Sequence, residues 1–212
     1  AMGILLALVG MSAQWSFLHS ITFLGSVIGV QSEVEPGSAW IANSLGTFTV
    51  FLLIFALSRR ITPLLEKRAL YPAAALCLVG GIALLLVGNL LFSSPACNYA
   101  GNVLVACGAT PLIIMWGELW SALATGRVGR HLYVSYTFAF VLFFIAYALP
   151  EAVAVAFTAA LPIVSAAVLV ACKREPRREP SVLPLDVRTI PVARIFACIL
   201  VISVVYGASQ GM

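Results

Sequence analysis

Six apolar runs of about twenty residues, separated by short polar breaks, dominate this chain and leave it few folds. About 20 consecutive apolar residues as a helix cross the hydrocarbon core of a bilayer, which is ~30 Å thick. The runs are 3–29, 39–57, 70–92, 99–123, 132–149 and 152–172, and a further run, 191–212, is just long enough to make a seventh. In lipid, a backbone must satisfy its own polar groups, so such runs become helices. The expected fold is therefore all-α, a polytopic transmembrane bundle of six spans plus a seventh. Composition agrees: hydrophobic residues make up 62% of the 212 and charged residues only 9%. A water-soluble domain needs about 25% charged residues to cover its surface.

The charges give this map a direction. Loops after odd-numbered runs hold Glu33, Glu35 and Glu151 and no Lys or Arg. The twelve basic residues all fall after even-numbered runs or at the start of the seventh: Arg59, Arg60, Lys67 and Arg68, then Arg127 and Arg130, then Lys173 to Arg194. Basic loops stay in the cytoplasm, so the amino terminus is expected there. A wrong span count would have scattered these residues over both faces. The same distribution removes a nucleic-acid reading of the pI near 9.0, because no basic stripe lies on a polar surface. The first run lacks a basic leader and is too long for a signal peptide.

Residues 173–190 are expected to form a cytoplasmic linker. Pro176, Pro180 and Pro184 prevent a continuous helix there, and mixed charges keep the segment solvated. The domain plan is thus a six-helix half-bundle over 1–172, the linker over 173–190, and a seventh helix over 191–212 that begins a second half-bundle.

Polar groups in hydrocarbon are costly, so each needs a reason. Ser12, Trp15, Ser16, His19, Thr22 and Ser26 follow steps of three and four and share one helix face. His19 is expected near the bilayer midplane, either to meet a ligand or proton or to hydrogen-bond a neighbouring helix. Tyr133, Tyr136, Phe140, Phe144 and Tyr147 form an aromatic stripe on the fifth run, which suits packing or the floor of a pocket for a planar or apolar ligand. On the fourth run, Asn102, Trp116 and Trp120 share a face, and the tryptophans suit an interfacial belt. Pro111 is expected to bend that helix. Glu118 is the one acid inside a span; a structural or gating ion pair at the inner rim, with Arg59 or Arg60, or else Arg127 or Arg130, is its expected role. Candidate ligand contacts are therefore Trp15, Ser16, His19, Asn102, Tyr136 and Phe140. Gly25/Gly29 and Gly207/Gly211 have the spacing of tight helix crossings.

The five cysteines include no C-x-x-C pair, and no nucleotide loop, metal motif or nucleophile elbow occurs. Catalysis, a cofactor and a metal are not expected.

Six spans, a long cytoplasmic linker and a new span beginning inside resemble the layout of the major facilitator superfamily. The loop Ser58-Arg59-Arg60-Ile61-Thr62-Pro63-Leu64-Leu65-Glu66-Lys67-Arg68 keeps the basic residues of that family's loop pattern and lacks its glycines and aspartate. A second resemblance rests on Gln14-Trp15-Ser16-Phe17, on Trp116-Gly117-Glu118-Leu119-Trp120-Ser121-Ala122-Leu123, on Tyr133-Val134-Ser135-Tyr136 and on Tyr206 to Met212. In these the chain looks like the membrane half of LuxR-type transcriptional regulators of Coriobacteria such as the Eggerthella group. That resemblance implies a small-molecule-sensing membrane module. Its partners would be the bilayer, an unidentified small-molecule ligand, further transmembrane helices and a carboxy-terminal helix-turn-helix DNA-binding domain of the same parent protein. No helix-turn-helix lies in these residues, so no nucleic-acid contact is expected within the chain. The alternative is the amino-terminal half of a major-facilitator-type transporter.

Overall fold

The structure is a computed structural model that describes residues 2–24, 38–61, 63–88, 94–121 and 125–173. The linker beyond Lys173, the run 191–212, Ser26 and the Gly25/Gly29 and Gly207/Gly211 pairs lie outside the described residues.

The expected all-α fold is present. Its helices are α1 (Met2–Leu24), α2 (Ser38–Ile61), α3 (Leu70–Val87), α4 (Pro95–Ser121), α5 (Thr125–Ala148) and α6 (Glu151–Lys173), with one 3-10 turn, Leu64–Glu66, between α2 and α3. No strand occurs among the described residues. All six helices are long and apolar enough to cross a membrane. Several outrun their apolar stretches: α2 continues through Arg59 and Arg60, and α5 begins at Thr125, a turn or more before its apolar run. Long basic side chains permit this, because their stems can lie along the helix while the charge reaches the interface. Pro95 occupies the first position of α4, where its missing N–H costs nothing. Glu151 opens α6, where a carboxylate faces the positive end of the helix dipole. α4 runs as one helix through Pro111, and α6 through Pro162, so neither proline ends its span.

The helices pack in a regular pattern. α1 packs mainly on α5 and α6, α4 mainly on α2 and α3, and α3 touches α6. Exchanging α1 with α4, α2 with α5 and α3 with α6 reproduces this pattern. Six helices that each span would set these two sets of three in opposite senses across a membrane, the form of an inverted repeat. α1 and α4 are its central, most buried spans, whereas α2 and much of α5 present apolar side chains outward.

In lipid there is no hydrophobic drive pulling helices together, so close backbone approach and interhelical hydrogen bonds must hold them. Glycines supply the approach between α3 and α4. A Cβ on Gly81 would lie 2.8 Å from the Val105 amide nitrogen, and one on Gly108 only 2.5 Å from the Ala74 carbonyl oxygen. Gly46 plays the same part between α2 and α4, against Ala106. Gly10 on α1 receives the edge of the Trp116 indole and Val168 of α6, which locks α1, α4 and α6 together.

Candidate functional site

α1 and α5 meet along small residues. Ser16 and Ser20 on α1, and Ser135 and Ala139 on α5, are fully buried, so the two backbones approach closely. Beside this seam the larger rings of both helices collect around His19. The imidazole lies nearly parallel to Phe140, with centroids 5.1 Å apart and 16° between planes. Tyr136 approaches it at 6.1 Å, Phe23 at 6.0 Å and Trp15 at 6.3 Å. Trp15 in turn packs on Tyr136 at 4.6 Å, and Phe23 meets Phe143 edge-on at 6.3 Å. His19 Nε2 is buried and finds no hydrogen-bond partner among the described residues.

Four expected ligand contacts, Trp15, His19, Tyr136 and Phe140, therefore come together between α1 and α5, and Ser16 is buried on α1 next to Trp15. Helical spacing placed the rings correctly on each helix; the pairing of the two stripes comes only with the fold. Tyr136 and Phe140 straddle the centre of the span Val128–Ala148. His19 itself is about 8 Å past the centre of the described span Ile4–Phe23, at ~1.5 Å per residue. Phe23 and Phe140 are roughly half exposed, so the cluster opens to the outside of the six-helix unit. Among the described residues it contains no Asp, Glu, Lys or Arg. Two polar residues of the α1 face, Ser12 and Thr22, spend their hydroxyls on the carbonyls one turn back, Leu8 and Leu18.

Asn102 belongs to different contacts. Its side-chain Nδ2 donates to the Asn98 backbone carbonyl and to Asn98 Oδ1, each at 3.0 Å, and its backbone carbonyl accepts from Asn43 Nδ2 of α2 at 3.4 Å. These bonds tie α4 to itself and to α2, whereas the His19 cluster joins α1 to α5. Sequence periodicity passed over Asn43 and Asn98, because an Asn in an apolar run shows no partner until its neighbour helix is known.

The tryptophans of α4 face the bundle interior. Trp116 is 1% and Trp120 3% exposed. Trp116 Nε1 donates to Ser165 Oγ of α6 at 2.9 Å, and Trp120, the last residue of the span Pro95–Trp120, stacks on His131 at 5.4 Å.

Glu118 has partners that no charge pattern revealed. One carboxylate oxygen accepts the Leu64 amide N–H at 2.9 Å and the other the Leu65 N–H at 2.7 Å. These are the first free amides of the 3-10 turn, so the acid caps it across the bundle. The Tyr71 hydroxyl donates to the Leu65 carbonyl. Leu64 and Leu65 are buried at 1% and 0% exposure. The α2–α3 connection is thus pinned at backbone level to the end of α4. Arg60 is exposed, and the Arg59 side chain lies outside the described residues.

Among the described residues no group of three or more His, Cys, Asp or Glu side chains could hold a metal ion. Compared with known proteins, the chain matches no family model, no curated protein and no solved structure. The helix pattern and the α1–α5 cluster carry the functional reading by themselves.

Proposed function

We propose that this membrane protein senses a small molecule at the His19 cluster, as the membrane module of a membrane-tethered LuxR-type transcriptional regulator. Its amino terminus lies in the cytoplasm of a bacterial inner membrane, and its DNA-binding domain is in a part of the parent protein outside this chain. The observation that carries the reading is His19 Nε2: a buried, unpartnered nitrogen set among four aromatic rings at membrane depth. A ligand's polar group satisfies that nitrogen, and its flat body adds to the stack. Binding favours one arrangement of α1 against α5 over another, and a cytoplasmic domain reads the difference.

The ligand of such a cluster is neutral. Cation–π contacts are worth about 0.5–2 kcal/mol. Bringing an unpaired cation to membrane depth costs at least about 2.5–3.5 kcal/mol. With no carboxylate in the cluster, a cation loses that balance. A planar, uncharged molecule carrying one hydrogen-bonding group gains from both rings and imidazole.

A second reading has an observation of its own. The inverted arrangement of α1–α3 and α4–α6 is the internal repeat of a major-facilitator half, which favours the amino-terminal half of a secondary transporter. Both readings use the same ligand site.

2-Naphthol, naphthalene and trimethylphenylammonium are suitable probes for the chain in lipid nanodiscs, with binding read as a shift in thermal unfolding. The expected order has 2-naphthol binding at least tenfold tighter than naphthalene, and the cation not at all. His19→Ala should remove the advantage of 2-naphthol over naphthalene, and Phe140→Ala should weaken both. Equal responses of wild type and His19→Ala to every probe would remove His19 from the site.

A further inference from the structure

The buried polar atoms of α1 fall into two kinds. A serine or threonine hydroxyl in a helix can turn to the carbonyl one turn back, so Ser16 or Ser20 needs no outside partner. A primary amide cannot. Gln14 is 1% exposed, and among the described residues neither its Oε1 nor its Nε2 has a hydrogen-bond partner. It lies five residues, or about 140° of helix, from His19, so it faces away from the ring cluster.

The surroundings of Gln14 follow from its neighbour one turn earlier. Gly10 touches both the Trp116 indole of α4 and Val168 of α6. As the first and sixth spans, α1 and α6 run antiparallel, so a step of one turn along α1 matches a step from Val168 back toward Val164. Ser165, which accepts the Trp116 N–H and is fully buried, stands at that depth.

We infer that Gln14 binds internal water at the α1–α6 crossing, with Ser165 as the further partner at that depth. Buried water occupies sites offering two to four polar groups, and Gln14 alone offers a donor and an acceptor. A cation is the poorer occupant, since no carboxylate stands at the crossing to offset its desolvation. The water makes α1 adhere to α6 through exchangeable bonds instead of fixed side-chain pairs, on the helix that also carries His19.

Radiolytic hydroxyl labelling in ¹⁸O-water tests this, because a bound water generates its radical in place and marks the side chains touching it. The full chain in nanodiscs is the sample, with rates divided by each residue's intrinsic reactivity. Met11 and Phe17, which flank Gln14 and are 6% and 0% exposed, should take up ¹⁸O at least tenfold faster than Leu78 and Leu85 of α3, both fully buried among apolar residues. Gln14→Leu, or Gln14→Met if the first variant does not fold, should bring Met11 and Phe17 down to the rate of those leucines. Slow labelling of Met11 and Phe17 in the wild type would overturn the inference. So would fast labelling that persists in the variant.

Discussion

Replacing Glu118 by Ala should lower the stability of the bundle by about 3–5 kcal/mol, the sum expected when two charge-assisted hydrogen bonds are lost and two buried amides are left without acceptors. For a chain of this size that corresponds to roughly 10 °C in thermal midpoint. Glu118→Gln should recover less than half of it: one carbonyl oxygen remains for Leu64 or Leu65, while the new NH2 is aimed at the other N–H. Tyr71→Phe removes the donor to the Leu65 carbonyl and should cost about 1 kcal/mol. The arginines supply the contrast. Arg60 is exposed, and exposed ion pairs contribute about 0–1 kcal/mol, so Arg60→Ala should leave the midpoint nearly unchanged. Thermal unfolding of the four variants in one detergent decides the matter. A large loss in Arg60→Ala with a small one in Glu118→Ala would return Glu118 to the side-chain ion pair that its charge suggests.

A second large effect is expected from a single methyl group. In Gly108→Ala the added Cβ would sit 2.5 Å from the Ala74 carbonyl oxygen and 2.9 Å from the Leu78 amide nitrogen. These are backbone atoms, which cannot swing aside as a side-chain tip can. α3 and α4 must separate, with a cost of about 1–3 kcal/mol by analogy with overpacked cores. The loss of contact then spreads along the crossing through Gly101 and Gly81. Gly108→Val should prevent folding altogether. Gly80, on the open side of α3, has nothing within 4 Å of its would-be Cβ. Gly80→Ala should therefore be neutral or gain up to about 1 kcal/mol from helix propensity. Yield and thermal midpoint of the three variants provide the comparison. A Gly80→Ala loss as large as that of Gly108→Ala would mean that the glycines act through helix propensity and not through the crossing.

Much of this architecture is legible in the chain, for a physical reason. The bilayer fixes the length of a span, so six apolar runs translate into α1 to α6 with ends shifted by a few residues. Helical periodicity also reads faces well: Trp15 and His19 on α1, and Tyr136 and Phe140 on α5, lie where their spacing puts them. What periodicity cannot supply is which face meets which. It grouped Asn102 with His19 because both are polar, yet the hydrogen bonds of Asn102 run to Asn98 and Asn43. For Glu118 charge suggested only arginines, and the fold adds the amides of Leu64 and Leu65 as partners of its carboxylate oxygens. A backbone N–H carries no mark in a sequence, so that contact has no sequence signal at all.

The imidazole resonances of His19 offer the most direct measurement on the α1–α5 cluster. The chain contains two histidines, so selective ¹⁵N and ¹³C labelling gives two ring systems, and His131→Gln identifies the one that remains. With Phe140 stacked at 5.1 Å, the His19 ring protons should lie upfield of their ordinary positions, and Phe140→Leu should release them. Added 2-naphthol should move the Nε2 signal of the wild type in a saturable way. His19 resonances that ignore both Phe140→Leu and 2-naphthol would contradict the cluster and, with it, the ligand site.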